Sequence, residues 1–195
     1  MQRITLYCAS STRLQDAWYE AAATIGKSVA QEGLELVYGG GSIGLMGAAA
    51  KAAKAAGGRV HGVITSKLVA MEQAWDGCDE LEVVETMQQR RRKLLDLADG
   101  LLVLPGGLGT MEEFFEALVA RQLGDHGKPI VLVDIDGALS PLIDMLDDMM
   151  QRKLVRDSVR QLYRVVRDPA QAVQTLLHTP GGVVDPNAFV PSGDG

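Results

Sequence analysis

Leu104-Pro105-Gly106-Gly107-Leu108-Gly109-Thr110-Met111-Glu112-Glu113 is the stretch on which the fold turns: a hydrophobic strand pattern ends in a glycine-rich loop that opens a helical pattern. Val37-Tyr38-Gly39-Gly40-Gly41-Ser42-Ile43-Gly44-Leu45-Met46-Gly47 shows the same order earlier in the chain. Glycine lets a backbone approach a phosphate closely and take positive φ. The first turn of the following helix adds unpaired N–H groups at the positive end of its dipole. Two such loops at the carboxyl ends of strands in one parallel sheet converge on the crevice where open α/β folds bind ligands.

Working outward, strand-like runs at 4–9, 35–38, 59–64, 81–84, 100–104, 130–133 and 163–166 alternate with helical patterns at 14–32, 45–56, 87–97, 111–123, 141–151 and 169–177. Alternation of this kind is the pattern of repeated βαβ units. The expected fold class is therefore α/β: a Rossmann-like open parallel sheet of six or seven strands with helices on both faces. Ser140-Pro141 and Asp168-Pro169 each put an N-cap residue before a proline at the first helical position. Residues 1–177 are expected to form a single nucleotide-binding domain. The stretch 178–195 holds three of the seven prolines and four glycines without periodicity, and reads as a mobile tail.

At 195 residues the chain fits one core. The net charge of −6 argues against nonspecific nucleic-acid binding, which needs Lys and Arg to neutralise phosphates. No apolar run approaches the roughly 20 residues that span a bilayer, so no membrane partner is expected. Met1-Gln2-Arg3-Ile4 runs straight into a strand pattern, and the expected location is the cytoplasm. Cys8 and Cys78 are too few and too far apart for a disulfide framework or a C-x-x-C site, and read as small buried hydrophobes.

The two loops narrow the ligand. Gly39, Gly41 and Gly44 fit G-x-G-x-x-G, but no Asp or Glu lies between Gly47 and Glu72 to hold a ribose 2′-hydroxyl, which disfavours NAD. Neither loop contains Gly-Lys-Ser/Thr, which disfavours a P-loop ATPase. Thr110-x-x-Glu113 has two readings. It is a capping box in which Glu113 satisfies the Thr110 N–H, or Glu113 is a partly desolvated carboxylate with a raised pKa, suited to proton transfer or to stabilising a developing cation. Arg90 or Arg91, early in the helix before the second loop's strand, could supply a planar fork to a phosphate; spacing does not choose between neighbours about 100° apart. Ser10 and Ser11, after the first strand, read as helix caps or ligand contacts. Asp134 and Asp136 could face the crevice or form a turn. His61, His126 and His178 have no metal spacing among them and read as loop or packing residues; no metal site and no cofactor are expected. None of Lys27, Lys51, Lys54, Lys67 and Lys93 stands out as a Schiff-base lysine.

With both loops in hand, the chain resembles the Lonely Guy family of cytokinin-activating nucleoside 5′-monophosphate phosphoribohydrolases, long labelled lysine decarboxylases. The resemblance runs from residue 7 to about 168. It is carried by Tyr7-Cys8-Ala9-Ser10-Ser11, by residues 38–47, by the complete Pro-Gly-Gly-x-Gly-Thr-x-x-Glu from Pro105 to Glu113, and by Gln122-Leu123-Gly124-Asp125-His126-Gly127-Lys128-Pro129. It implies hydrolysis of the N-glycosidic bond of an adenosine 5′-monophosphate, usually N6-prenylated, to free base and ribose 5-phosphate. It implies Glu113 and Arg90 as catalytic residues. Candidate substrate contacts are Ser10, Gly40, Gly41, Glu72, Arg90, Arg91 and the run Gly106, Gly107, Leu108, Gly109, Thr110, Met111 and Glu112. A homo-oligomer, a dimer or larger, is implied as well. The family's Met-His-x-Arg-Lys appears as Met87-Gln88-Gln89-Arg90-Arg91, which keeps the arginine but lacks the titratable histidine and changes the geometry of the second cation. A noncatalytic nucleotide or cofactor carrier of the same fold is the rival expectation.

Overall fold

The computed structural model describes residues 1–71 and 73–189. Seven strands, β1 (Arg3–Tyr7), β2 (Glu35–Tyr38), β3 (Arg59–Thr65), β4 (Glu80–Val84), β5 (Gly100–Val103), β6 (Ile130–Val133) and β7 (Arg164–Val166), form one sheet in the order β4-β3-β2-β1-β5-β6-β7. Every pairing is parallel. The expected Rossmann-like α/β sheet is what the chain forms. Its central strands β5 and β6 are buried at every position, which is why they read as unbroken apolar runs rather than alternating ones.

The helices are α1 (Asp16–Gln31), α2 (Gly44–Ala55), α3 (Ser66–Ala70), α4 (Met87–Leu97), α5 (Leu108–Gln122), α6 (Ser140–Gln151) and α7 (Pro169–His178). One core joins α1, α2 and α7 to the sheet through Ile25, Val29, Ala49, Ala53, Val173 and Leu176. The other joins α4, α5 and α6 through Leu94, Phe114, Leu118, Leu142 and Leu146. The chain winds outward from β1 to the edge strand β4 and then crosses back to β5, beside β1. That reversal opens a crevice above the carboxyl ends of β1 and β5. Among the described residues no helix is long and apolar enough to cross a membrane.

Several starts and stops differ from the sequence pattern. Helix α5 begins at Leu108, not at 111, with Gly107 at its N-cap. Ser140 does not cap α6; Leu139 takes that position, and the Ser140 hydroxyl donates to Asp134 Oδ2 at 2.9 Å. Asp134 also accepts the Leu139 N–H at 2.7 Å, so this buried carboxylate organises the β6–α6 turn and does not face the crevice. Asp168 does cap α7, accepting from the Ala170 N–H at 2.9 Å.

The stretch expected to be a mobile tail is packed as far as the buried Phe189. The Gly182 N–H donates to Gly127 O at 2.8 Å, Ser158 Oγ to Ala188 O at 2.8 Å and Gln122 Nε2 to Phe189 O at 3.4 Å. Within it only Pro186–Ala188 forms a short 3-10 turn, capped by the Asp185 carboxylate; residues 190–195 lie outside the described residues.

Candidate active site

Five segments meet over the crevice: the connections after β1, β2 and β5, the end of β3 with α3, and the start of α4. They enclose a cavity of about 390 Å³, within the range of ligand sites. Glu113 and Arg90 lie in its wall with Ser10, Ser11, Gly39 and Gly41 on one side and Gly107, Leu108, Gly109 and Thr110 on the other. An apolar stretch is made by Ile43, Met46, Ile64, Leu68 and Met87, and Gln73 completes the lining opposite.

The start of α4 sets where Arg90 lies. Thr86 Oγ1 accepts the Gln89 N–H at 3.1 Å while Gln89 Oε1 accepts the Thr86 N–H at 3.1 Å, so the capping box belongs to this helix. At the far end Lys128 Nζ donates to Leu95 O and to Asp96 O, tying down the last turn. His126 fixes that lysine's loop: its Nδ1 accepts the Lys128 N–H and its Nε2–H donates to Ala117 O at 3.0 Å. Part of the resembling 122–129 segment thus acts on the site from a distance, through α4.

Arg90, only 5% exposed, spreads its guanidinium beneath the cavity. Nε donates to Val63 O and Nη2 to Gly39 O, both at 2.9 Å, and Nη1 lies 3.5 Å from Glu113 Oε1. Glu113 is 4% exposed. Its capping-box role is excluded, because Gly107 and not Thr110 is the N-cap and no side chain caps α5. Burial pushes the Glu113 carboxyl up to about 7, with Arg90 opposing the shift. Burial likewise pulls Arg90 below its ordinary value, opposed by Glu113. Its partners suit a permanent cation, which is how guanidinium behaves in proteins.

The two glycine loops have different jobs. At the start of α2 the Leu45 and Met46 N–H groups donate to Ala9 O at 2.9 and 3.4 Å. Around that loop, the Ser42 N–H donates to Gln73 O and the Trp75 N–H to Gly40 O, each at 2.9 Å, and Gly41 bridges Ala74. The first loop is therefore closed by the protein's own backbone. At the start of α5 no protein acceptor among the described residues meets the N–H groups of Leu108, Gly109 or Thr110. Three donors and the positive end of a 15-residue helix face the cavity there.

Of the expected residues, the fold brings together at the cavity Ser10, Gly41, Arg90, Gly107, Leu108, Gly109, Thr110 and Glu113. Arg91 does not reach it. Its Nη1 pairs with Glu112 at 2.9 Å and its Nε with Glu116 at 2.7 Å on the outer surface, which also removes Glu112. Gly40 packs beneath the loop with φ +73°, and Met111 points into the α5 side of the core. Gly106 lies under Thr110, where a Cβ would come within 2.1 Å of Oγ1. Glu72 lies outside the described residues. Gln88, the departure from the family motif, is exposed on α4 and is not part of the cavity lining. Cys8, Gly39 and Gln73 were missed, as was the apolar stretch. The resemblance already covered Cys8 and Gly39, and Ile43, Met46 and Met87 lie inside its motifs; no motif shows that these three line one stretch with Ile64 and Leu68, because that stretch is assembled from separate connections.

A family model described as "Possible lysine decarboxylase" matches residues 46–176. A cytokinin riboside 5′-monophosphate phosphoribohydrolase of Mycobacterium tuberculosis (strain ATCC 25618 / H37Rv) is 41% identical, covering 83% of this chain and 91% of that protein. The chain belongs to the Lonely Guy family. A probable cytokinin riboside 5′-monophosphate phosphoribohydrolase of Oryza sativa subsp. japonica is 34% identical over 90% of this chain and 72% of its own. Among solved structures, the molybdenum cofactor carrier protein of Chlamydomonas reinhardtii superposes with a TM-score of 0.69 at 26% identity, covering 90% of this chain and 98% of that one.

Proposed function

We propose that this Lonely Guy family member hydrolyses the N-glycosidic bond of an adenosine 5′-monophosphate, with or without an N6 substituent, to free base and ribose 5-phosphate. The observation that carries the reading is a buried carboxylate, Glu113, set beside a free helix N-terminus in one cavity. The 5′-phosphate sits on the leading amides of α5, with the Ser10 and Ser11 hydroxyls opposite. The base lies along Ile43, Met46, Ile64, Leu68 and Met87, and the ribose spans the two above Glu113. As the C1′–N9 bond breaks, its electron pair leaves with the base and the ribosyl centre becomes oxocarbenium-like. The Glu113 carboxylate stabilises that cation and takes a proton from the water that attacks C1′; the proton then passes to the departing base. Arg90 opposes the upward shift of the Glu113 carboxyl and aims it.

Incubation with AMP and N6-prenyl-AMP, with free base followed by chromatography, tests this reading. Base release by the wild type, lost in Glu113→Gln, is the expected result. Tight nucleotide binding with no base released by either form would replace the hydrolase with a carrier. We also propose a homo-oligomeric, cytoplasmic protein. Met87 and the 90% exposed Leu108 lie in the cavity wall, where a second copy would cover them; light scattering of the purified protein gives the mass that decides it.

A further inference from the structure

Away from the cavity, on the sheet face covered by α4, lies a buried donor group that the proposed reaction does not use. The parallel register sets His61 beside Glu80 and Val63 beside Glu82, and the period of two puts His61, Glu80 and Glu82 on one face. His61 is 2% exposed, and its Nε2–H donates to Glu82 Oε1 at 3.0 Å. That tautomer leaves Nδ1 as a lone pair. Nδ1 is buried, has no hydrogen-bond partner among the described residues, and faces Glu80 Oε2 at 3.7 Å. A buried nitrogen lone pair turned toward a carboxylate oxygen is repelled by it unless a cation lies between them.

We propose that His61, Glu80 and Glu82 bind a divalent transition-metal cation, zinc being the ion their donors favour. One ligand atom from each residue lies within 4.8 Å of the other two. The Glu80 and Glu82 side chains are 53% and 28% exposed, free enough to rotate inward. One imidazole with two carboxylates suits zinc-class ions, whereas magnesium and calcium prefer oxygen alone. Lys93 Nζ, 3.0 Å from Glu82 Oε2 and 41% exposed, competes for that carboxylate and swings out when the ion binds. Bound there, the ion ties the edge strand β4 to β3, two residues from the Val63 carbonyl that holds Arg90. Its role is to stiffen that corner, outside the reaction.

Metal-free full-length protein, titrated with Zn²⁺ by calorimetry and scanned for thermal unfolding, tests the site; Co²⁺ serves as a visible probe of coordination. Expected are one equivalent of Zn²⁺, a raised Tm, a Co²⁺ ligand-field band and no response to Mg²⁺. Glu80→Gln, at an exposed position that carries no fold risk, abolishes the stoichiometric binding. Glu82→Gln, which removes the other carboxylate ligand, abolishes it as well. Lys93→Met tightens it, an effect that a purely structural ion pair would not produce. Equal zinc binding by the wild type and Glu80→Gln would place the ion elsewhere and overturn the proposal. So would a wild type that shows neither a zinc-dependent Tm nor a cobalt band, in which case a proton on Nδ1 takes the cation's place.

Discussion

Both glycine loops leave a parallel strand and enter a helix, yet one is closed by protein and the other is open. In the first, a Cβ on Gly44 would lie 2.7 Å from Ala9 O, and one on Gly47 2.1 Å from Ser42 O. In the second, a Cβ on Gly107 or Gly109 would meet no other segment of the described residues within 4 Å. Glycine marks where backbone can be approached closely; whether a ligand or another segment makes the approach depends on what the fold brings alongside. The loop after β1 lends its Ala9 carbonyl to α2, which leaves the α5 amides as the ones open to an anion in the proposed reading.

The largest effect that tests this contrast lies at Glu113, on the open side. Glu113→Gln is expected to keep the fold and lower kcat about 10²- to 10⁴-fold, the usual contribution of a positioned acid–base group. Its pH behaviour separates chemistry from stability. A carboxyl whose pKa rises from 4.5 to about 7 on folding binds its proton more tightly in the folded state. That contribution to stability is complete below the ordinary carboxylate range and is lost as pH rises through about 7. Activity that needs the carboxylate rises over the same interval. Urea unfolding and kcat/KM measured across pH should show these opposite slopes in the wild type and neither in Glu113→Gln. A stability slope that survives the substitution would mean that Glu113 is not its source.

A glycine in each loop gives the next effects. Gly44 sits at φ +64°, and its Cβ would meet the backbone of Ala9 and Ser10. Gly44→Ala is therefore expected to cost about 2–3 kcal/mol, read from the urea midpoint. Gly109→Ala should do the reverse. With no other segment of the described residues to strike and a helical position, it gains up to about 1 kcal/mol of stability. Its methyl, at the cavity wall, crowds the phosphate and raises KM about tenfold, equivalent to about 1.4 kcal/mol. Loss of stability in both variants would erase the distinction between the loops.

The sheet and its ligand crevice were legible because period and punctuation are local: unbroken apolar strands, glycine runs at their ends, and Asp168-Pro169 at a helix start. Thr86-x-x-Gln89 and Thr110-x-x-Glu113 have the same local form, yet only the first is a capping box. The chain before Thr110 turns into the helix three residues early, at Gly107, which frees Glu113 to face the cavity. Nothing in the residues around Thr110 alone reveals that shift. The apolar cavity stretch was illegible for a different reason: Ile43, Ile64 and Met87 follow or end different strands, and only the sheet order brings them together. His61 likewise had no spacing to other ligands, because its neighbours Glu80 and Glu82 arrive through strand register.

The smallest effect is expected at Arg91, one residue from Arg90 and aimed away from the cavity. Arg90 is buried and held by two backbone carbonyls and Glu113, whereas Arg91 is bound at the surface between Glu112 and Glu116. The Glu112 and Glu116 side chains are 53% and 37% exposed, so water screens these pairs, and pairs of this kind contribute about 0–1 kcal/mol. Arg91→Met should therefore lower stability by less than about 1 kcal/mol and leave both kcat and KM as they are, even though it alters the family motif. The pair of neighbours distinguishes charge from placement, since both residues carry the same cation on the same turn of α4. A KM raised tenfold or more in Arg91→Met, with stability intact, would show that the surface pairs open to let Arg91 reach the phosphate, and that the α5 amides do not hold it alone.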